Sequence, residues 1–218
     1  MLERERIGQK AKDFCDGLWQ QGDFWDFEHS QYEKSRCARL LAILADRHYE
    51  RVLEIGCGAG YFTRLLAPLA DRIVAFDVAP TAIERARTLG ADLPQVDFRV
   101  ANVMDYTWQA DGPWDLVVFN DAICYLGWLY PFFDVAWLAA QLFAATRTGG
   151  RLLMANTMDE MTDKLLLPYI TRTYRDLFRN VGYRLAAEEI FRGVKNSVDY
   201  EILISLFAKM PEVAAVKP

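Results

Sequence analysis

The stretch Glu54-Ile55-Gly56-Cys57-Gly58-Ala59-Gly60 decides the fold. A short apolar run, Arg51-Val52-Leu53-Glu54-Ile55, leads into it. Tyr61 to Leu69 leaves it, with Phe62, Leu65, Leu66 and Leu69 on one helical face. Strand, glycine turn, helix is the geometry that brings a backbone close to a nucleotide-like ligand. The glycines let the chain turn sharply and leave no Cβ in a ligand's way. A tight turn without a ligand is the alternative for Gly56, Gly58 and Gly60.

The same alternation continues outward. Ile73 to Phe76 reads as a second strand ended by Asp77, and Thr81 to Leu89 as a helix. Val96 to Val100, Asp115 to Phe119 and Arg151 to Ala155 read as further strands. Phe132 to Thr146 reads as a helix stopped by Gly149-Gly150. Near-continuous apolar strands alternating with helices argue an α/β fold, a doubly wound and mostly parallel sheet covered on both faces. Thr162 to Asn180 reads as mostly helical, interrupted at Pro168. Tyr183 to Phe191 and Tyr200 to Ala208 are two extended runs joined briefly by Arg192 to Asp199, which predicts a C-terminal antiparallel hairpin and seven strands in all. Upstream, Ser30-Gln31-Tyr32-Glu33 matches a capping box, and Cys37, Leu40, Leu41 and Leu44 place an amphipathic helix over about residues 30–46. Residues 1–28 show no clean period until Asp23-Phe24-Trp25-Asp26-Phe27. The division expected is a lid segment over 1–30, one domain over 31–210 and a tail over 211–218.

Length and composition bound the function. The chain has 218 residues, 52% hydrophobic, 25% charged and 13% aromatic, which suits one globular domain with a sizeable core. Its 25 basic and 30 acidic residues give a net charge of -5, with no basic run to coat a nucleic-acid backbone. Cys15, Cys37, Cys57 and Cys124 form no CxxC pair, so neither zinc nor a disulfide framework is expected. Met1 to Arg6 carries both signs of charge with no apolar stretch behind it, unlike a secretory signal. Leu129 to Ala145 is broken by Pro131 and Asp134 and is too short to span a bilayer. A reduced, soluble, cytoplasmic protein is expected, monomeric or homodimeric, with no metal, no nucleic acid and no membrane as partner.

Two nucleotide readings compete at the glycine loop. A dinucleotide fingerprint wants G-x-G-x-x-G, whereas Tyr61 stands three residues after Gly58 and the spacing is G-x-G-x-G. Glu54 precedes the first glycine by two places. S-adenosylmethionine has no pyrophosphate to cradle; it carries a cationic sulfonium and an amino-acid end, and nearby carboxylates suit that charge. Asp77, 21 residues after Gly56, offers acceptors for two ribose hydroxyls or, alternatively, caps the helix near Pro80.

Glu54 to Gly60, Asp77 and the late hairpin together resemble the class I S-adenosylmethionine-dependent methyltransferases, over roughly residues 30–208. Trp25-Asp26-Phe27, Ser30, Tyr32, Glu33 and Arg36 are similar to the NodS-like branch of small-molecule N-methyltransferases. The resemblance implies a Rossmann-like sheet and S-adenosylmethionine as cofactor. It implies that Asn102, where relatives often have Asp, meets the adenine, with Val103 and Val78 on its faces. Asn102 starting a turn is the alternative. It implies that Tyr32 and Arg36, four apart on one helix face, grip the methionyl carboxylate. Arg36 pairing with Glu33 on a solvated face is the alternative.

Ligands sit beyond the carboxyl ends of strands in open α/β sheets, which brings Asn120, Asp121 and Tyr125 to the site. Methyl transfer to an amine needs a free lone pair, so Asp121 is the candidate acid/base and Tyr125 the orienting hydroxyl. A capping role for Asp121 and a packing role for Tyr125 are the alternatives. His29, one of only two histidines, is a less favoured base. Trp128, Tyr130, Phe132 and Phe133, with Tyr169, Arg172 and Tyr174, are candidates for the acceptor pocket. The expected function is methylation of a small-molecule amine, an amino sugar or secondary metabolite. O-methylation of a natural product, non-catalytic nucleotide sensing and NAD(P)-linked oxidoreduction are the alternatives.

Overall fold

The computed structural model describes residues 2–158 and 167–211. Thr162 to Leu166 of the late helical segment and residues 212–218 of the expected tail lie outside the described residues. Seven strands form one sheet: β1 (Tyr49–Ile55), β2 (Ala70–Asp77), β3 (Val96–Val100), β4 (Trp114–Asn120), β5 (Thr146–Thr157), β6 (Arg184–Lys195) and β7 (Val198–Ala208). Their order is β3-β2-β1-β4-β5-β7-β6. β1 to β5 run parallel, and β7 is antiparallel to both β5 and β6. The doubly wound, mostly parallel sheet with a late hairpin stands as expected.

The helices are α1 (Leu2–Trp19), α2 (Gln31–Leu44), α3 (Tyr61–Leu66), α4 (Pro80–Leu89), α5 (Trp108–Asp111), α6 (Ile123–Leu129), α7 (Phe132–Ala145) and α8 (Leu167–Asn180). The pleat sends alternate side chains to opposite layers. Val52, Leu116, Val118 and Leu153 pack on one side with Leu40 and Leu44 of α2 and Phe62 and Leu66 of α3. Leu53, Ile55, Val117, Phe119 and Met154 pack on the other with Leu138 and Leu142 of α7 and Phe178 of α8. Each such side chain, taken wholly out of water, contributes roughly 1.5–3 kcal/mol. Among the described residues, no helix is long and apolar enough to cross a membrane.

Three local readings are corrected. Residues 2–19 are a helix. Ile7, Ala11, Cys15 and Leu18 do recur at helical spacing, but the stripe is narrow and interleaved with charge. Whether the chain is interrupted at Pro168, as expected, turns on residues 159–166, which lie outside the described residues. Gly149-Gly150 lies within β5, where Gly149 takes φ +80° beside a register shift against β4. The hairpin connection is two residues, with Lys195 paired to Val198. Asn196 and Ser197 both have positive φ, 52° and 63°, as a type I′ turn requires.

Serine has a Cβ penalty at that backbone position that glycine lacks. Ser197→Gly is therefore expected to stabilise the protein by about 1 kcal/mol, or about 2–4 °C in Tm for a chain of this size. A lowered Tm in a thermal melt would contradict the turn assignment.

Candidate active site

β1 is flanked by β2 and by β4, so the strand order reverses there and a crevice opens at the carboxyl ends. The glycine loop is sewn to the end of β2: Gly56 N and Cys57 N donate to the Phe76 carbonyl at 2.8 and 3.1 Å. Asp77 completes the seam. Its Oδ2 accepts from Gly58 N at 3.0 Å, and its Oδ1 accepts from Ala79 N at 2.9 Å. The cap on the α4 N-terminus comes from elsewhere: Asp16 of α1 accepts from Thr81 N at 2.8 Å. A carboxylate has about four lone-pair sites, so Asp77 retains acceptor capacity toward the cavity that it lines.

That cavity holds about 470 Å³, within the range of small-molecule sites. It is lined by Tyr32, Arg36, Glu54, Gly56, Gly58, Asp77, Val78, Asn102, Val103, Asn120, Asp121 and Tyr125 together. Gly60 is not among the lining residues. A Cβ there would meet the Phe98 ring at 3.0 Å, and its φ of +77° starts α3, so its glycine serves the turn and packing. The space beside the other glycines is also taken by protein. A Cβ on Gly56 would come within 2.7 Å of Ala122, and one on Gly58 within 2.5 Å of the Trp19 indole. Positive φ and close side-chain approach thus each call for glycine at these positions.

Trp19 belongs to an aromatic roof that the N-terminal segment lays over the loop. Its ring lies 5.1 Å from Trp25 and 6.4 Å from Phe27, and Phe27 stacks on Tyr61 at 5.6 Å. At the opposite wall, Asn102 caps a short 3-10 turn, its Oδ1 accepting from Met104 N at 3.0 Å, while its amide donates to the Tyr130 hydroxyl at 2.8 Å. The turn-starting reading of Asn102 is thus realised, and the residue also lines the cavity.

Arg36 is 1% exposed and is the largest charged side chain in the interior. Its Nε and Nη2 donate to Glu33 Oε2 at 2.9 and 2.8 Å, and its Nη1 donates to Asn120 Oδ1 at 2.6 Å and Asp121 Oδ2 at 2.7 Å. The pairing with Glu33 exists, but it is buried, not solvated. Burial opposes the guanidinium charge, yet Asp121 and Glu33 more than offset it and hold the cation firmly protonated. Glu33 Oε1 accepts from Lys195 Nζ at 2.7 Å, and Lys195 also donates to the Trp25 carbonyl.

Asp121 is not a helix cap; α6 is preceded by Ala122, with no side-chain cap. Asp121 takes φ +54° at the end of β4, a backbone state uncommon outside glycine. Its Oδ1 accepts from Thr157 N at 2.8 Å and Thr157 Oγ1 at 3.0 Å. With Arg36 on the other oxygen, two residues supply three donors and take up most of the carboxylate's acceptor sites. Tyr125 lines the cavity, and burial pushes its phenol well up, so it stays protonated.

Glu54 is wholly buried, and its Oε2 accepts from Thr63 Oγ1 at 2.6 Å. Burial raises its carboxyl to about 7, against the lowering effect of the Thr63 bond. Burial also raises the Cys57 thiol well above its ordinary value, so it is no nucleophile. Both histidines are exposed and neither lines the cavity.

The expected acceptor pocket is corrected in part. Tyr130 lines the cavity, whereas Tyr174 is buried against Gly127 and Phe132, and Trp128, Phe132, Phe133 and Tyr169 are exposed outside it. Arg172 is not among the lining residues either. Trp19, Thr157 and Lys195 line the cavity without having been anticipated. A hydrophobic stripe signals Trp19, but no local pattern signals the other two. Among the described residues, no group of three or more His, Cys, Asp or Glu is arranged to hold a metal ion.

The Nodulation protein S (NodS) family matches residues 9–133. The chain is 30% identical over 141 residues to Nodulation protein S of Rhizobium tropici, covering 63% of this chain and 56% of that one. It is 32% identical over 105 residues to Nodulation protein S of Bradyrhizobium diazoefficiens, covering 48% and 49%. The chain thus spans about half the length of these curated relatives. The N-methyltransferase NodS from Bradyrhizobium japonicum WM9, solved with S-adenosyl-L-homocysteine, shares the fold with a TM-score of 0.77. Identity to it is 20%, and the match covers 91% of this chain and 98% of that one.

Glu54 gives the site a pH signature. Between about pH 4.5 and 7 the unfolded chain's Glu54 is ionised while the folded chain's keeps its proton. The folded state then binds more protons, so stability falls as pH rises, by up to about 1.4 kcal/mol per pH unit. Relative to Glu54→Gln, the unaltered chain should lose unfolding free energy from pH 5 to 7 in urea titrations. A difference that stays flat with pH would contradict a raised carboxyl.

Proposed function

The chain belongs to the NodS (nodulation protein S) family, and from that premise we propose that it is an S-adenosylmethionine-dependent methyltransferase acting on an amine of a small molecule. The observation that carries this reading is Asp77: a carboxylate at the end of β2, tied to Gly58 of the glycine loop and facing a cavity that Val78, Asn102 and Val103 also line. That donor set fits the adenosine of a nucleoside cofactor. The carboxylate has spare acceptors for ribose hydroxyls, and the apolar side chains suit a purine ring.

When bound, S-adenosylmethionine supplies a methyl group on a cationic sulfur. An ammonium acceptor would first give a proton to water, and the lone pair so freed would take the methyl while the C–S pair goes to sulfur. What the protein contributes is alignment and charge. Asp121, fixed in place by hydrogen bonds from Arg36 and Thr157, attracts an ammonium acceptor and orients it. Tyr32, Arg36 and Asn120 border the same end of the cavity, and Tyr125 offers a hydroxyl to the acceptor. A carboxylate so fully hydrogen-bonded acts better as an anchor than as a base. The aromatic roof of Trp19, Trp25 and Phe27 excludes water and suits a flat or sugar-like face.

Titration calorimetry with S-adenosylmethionine and S-adenosylhomocysteine tests the donor site. Asp77→Ala should weaken both by about 1.5–3 kcal/mol for each ribose hydrogen bond lost. An unchanged dissociation constant in a folded variant would remove the ribose role. Asp121→Asn should leave donor affinity within about twofold while lowering kcat/KM for an amine at least about tenfold. Methyl incorporation into hydroxyl compounds but no amines would overturn the nitrogen acceptor in favour of oxygen.

A further inference from the structure

Lys195 is a nearly buried cation that the methyl-transfer reading leaves without a task. It ends β6, and the two-residue Asn196-Ser197 turn fixes where its backbone stands. The hairpin lies hard against α2: a Cβ on Gly193 would meet the Tyr32 ring at 2.7 Å. Two ion pairs cross this seam. Arg39–Glu189 is open to water, with side chains 47% and 34% exposed. Lys195–Glu33 is closed off, at 13% and 8%.

Docking the hairpin does not require the closed pair. Tyr32 already packs on Phe191 at 5.8 Å and on Tyr200 at 5.4 Å, and a buried ion pair is a poor way to gain stability compared with apolar packing. What the pair does specify is position. Glu33 divides its carboxylate: Oε1 takes Lys195, and Oε2 takes Nε and Nη2 of Arg36. Arg36 then reaches Asn120 and Asp121 with Nη1 alone. Lys195 also donates to the Trp25 carbonyl, 170 residues away in the chain.

We propose that Lys195 is a positioning residue for the acceptor end of the site. Through Glu33 it keeps Arg36 turned toward Asp121, and through the Trp25 carbonyl it tethers the aromatic roof. Without it, Glu33 is free to take the Arg36 fork with both oxygens, drawing the guanidinium off Asn120 and Asp121, and the Trp25 segment loses its anchor to the hairpin. The effect on turnover rests on the methyltransferase reading; the tether itself does not.

Four variants and three readouts test this: hydrogen exchange of backbone amides 23–31, donor dissociation constant, and acceptor KM. In Lys195→Met, exchange over 23–31 should quicken about tenfold or more, and acceptor KM should rise about tenfold or more with donor affinity within about twofold. Lys195→Arg should restore both to within about threefold, and Arg39→Met, at the open pair of the same seam, should leave both within about twofold. If Lys195→Met does not fold, Lys195→Gln, which removes the charge but keeps a polar side chain and leaves Glu33 to Arg36, is read the same way. Wild-type exchange over 23–31 together with unchanged acceptor KM would overturn the proposal, as would equal effects from Arg39→Met. Absence of donor binding in the unaltered chain would contradict the methyltransferase reading alone, and the exchange rates would still decide the tether.

Discussion

A guanidinium that is 1% exposed must be neutralised where it stands, and the site is organised around meeting that demand at Arg36. An isolated buried charge costs several kcal/mol, so its partners are not optional. Glu33 comes from one turn earlier in α2, Asn120 and Asp121 from the end of β4, and Lys195 balances Glu33 from the hairpin. Three segments distant in sequence are thereby bound to one geometry at the carboxyl ends of the strands. Asp121 pays for its place with a left-handed backbone, and Thr157 of β5 holds it from the far side.

The other half of the cavity obeys a different constraint. The glycine loop must turn out of β1 and into α3 while remaining bonded to β2, and the three positive-φ glycines make that possible. Asp77 lies where both halves meet. It satisfies two backbone N–H groups of the protein and still presents oxygen to the cavity. The N-terminal helix closes over this seam from outside, with Asp16 capping α4 and Trp19 filling the hollow beside Gly58. Donor binding and roof closure therefore share one wall.

Much of this was legible in the sequence, for physical reasons. Parallel strands covered on both faces are near-continuous apolar runs, so Val52 to Ile55 and Leu116 to Phe119 announce themselves, as does the turn at Gly56 to Gly60. The short hairpin connection announces antiparallel strands. Arg36 was legible as an ion-pairing residue, but i,i+3 spacing to Glu33 says nothing of burial, and so a solvated pair and a buried one read alike. The packing demand on the glycines has no local signal, because the neighbours Ala122, Trp19 and Phe98 come from other segments. α1 was missed because its apolar face is a narrow stripe serving a roof, not a core. Lys195 and Thr157 carry no local signal at all: their meaning arises only when the sheet brings β5 and β6 beside β4 and α2.

The central claim is that the cavity beside Asp77 is a methyl-donor site. A crystal structure of the chain with S-adenosylhomocysteine tests it most directly. Both ribose hydroxyls should lie within hydrogen-bond distance of the Asp77 carboxylate, with the purine between Val78 and Val103. Density for the ligand elsewhere, or bound in the cavity without a ribose contact to Asp77, would contradict it.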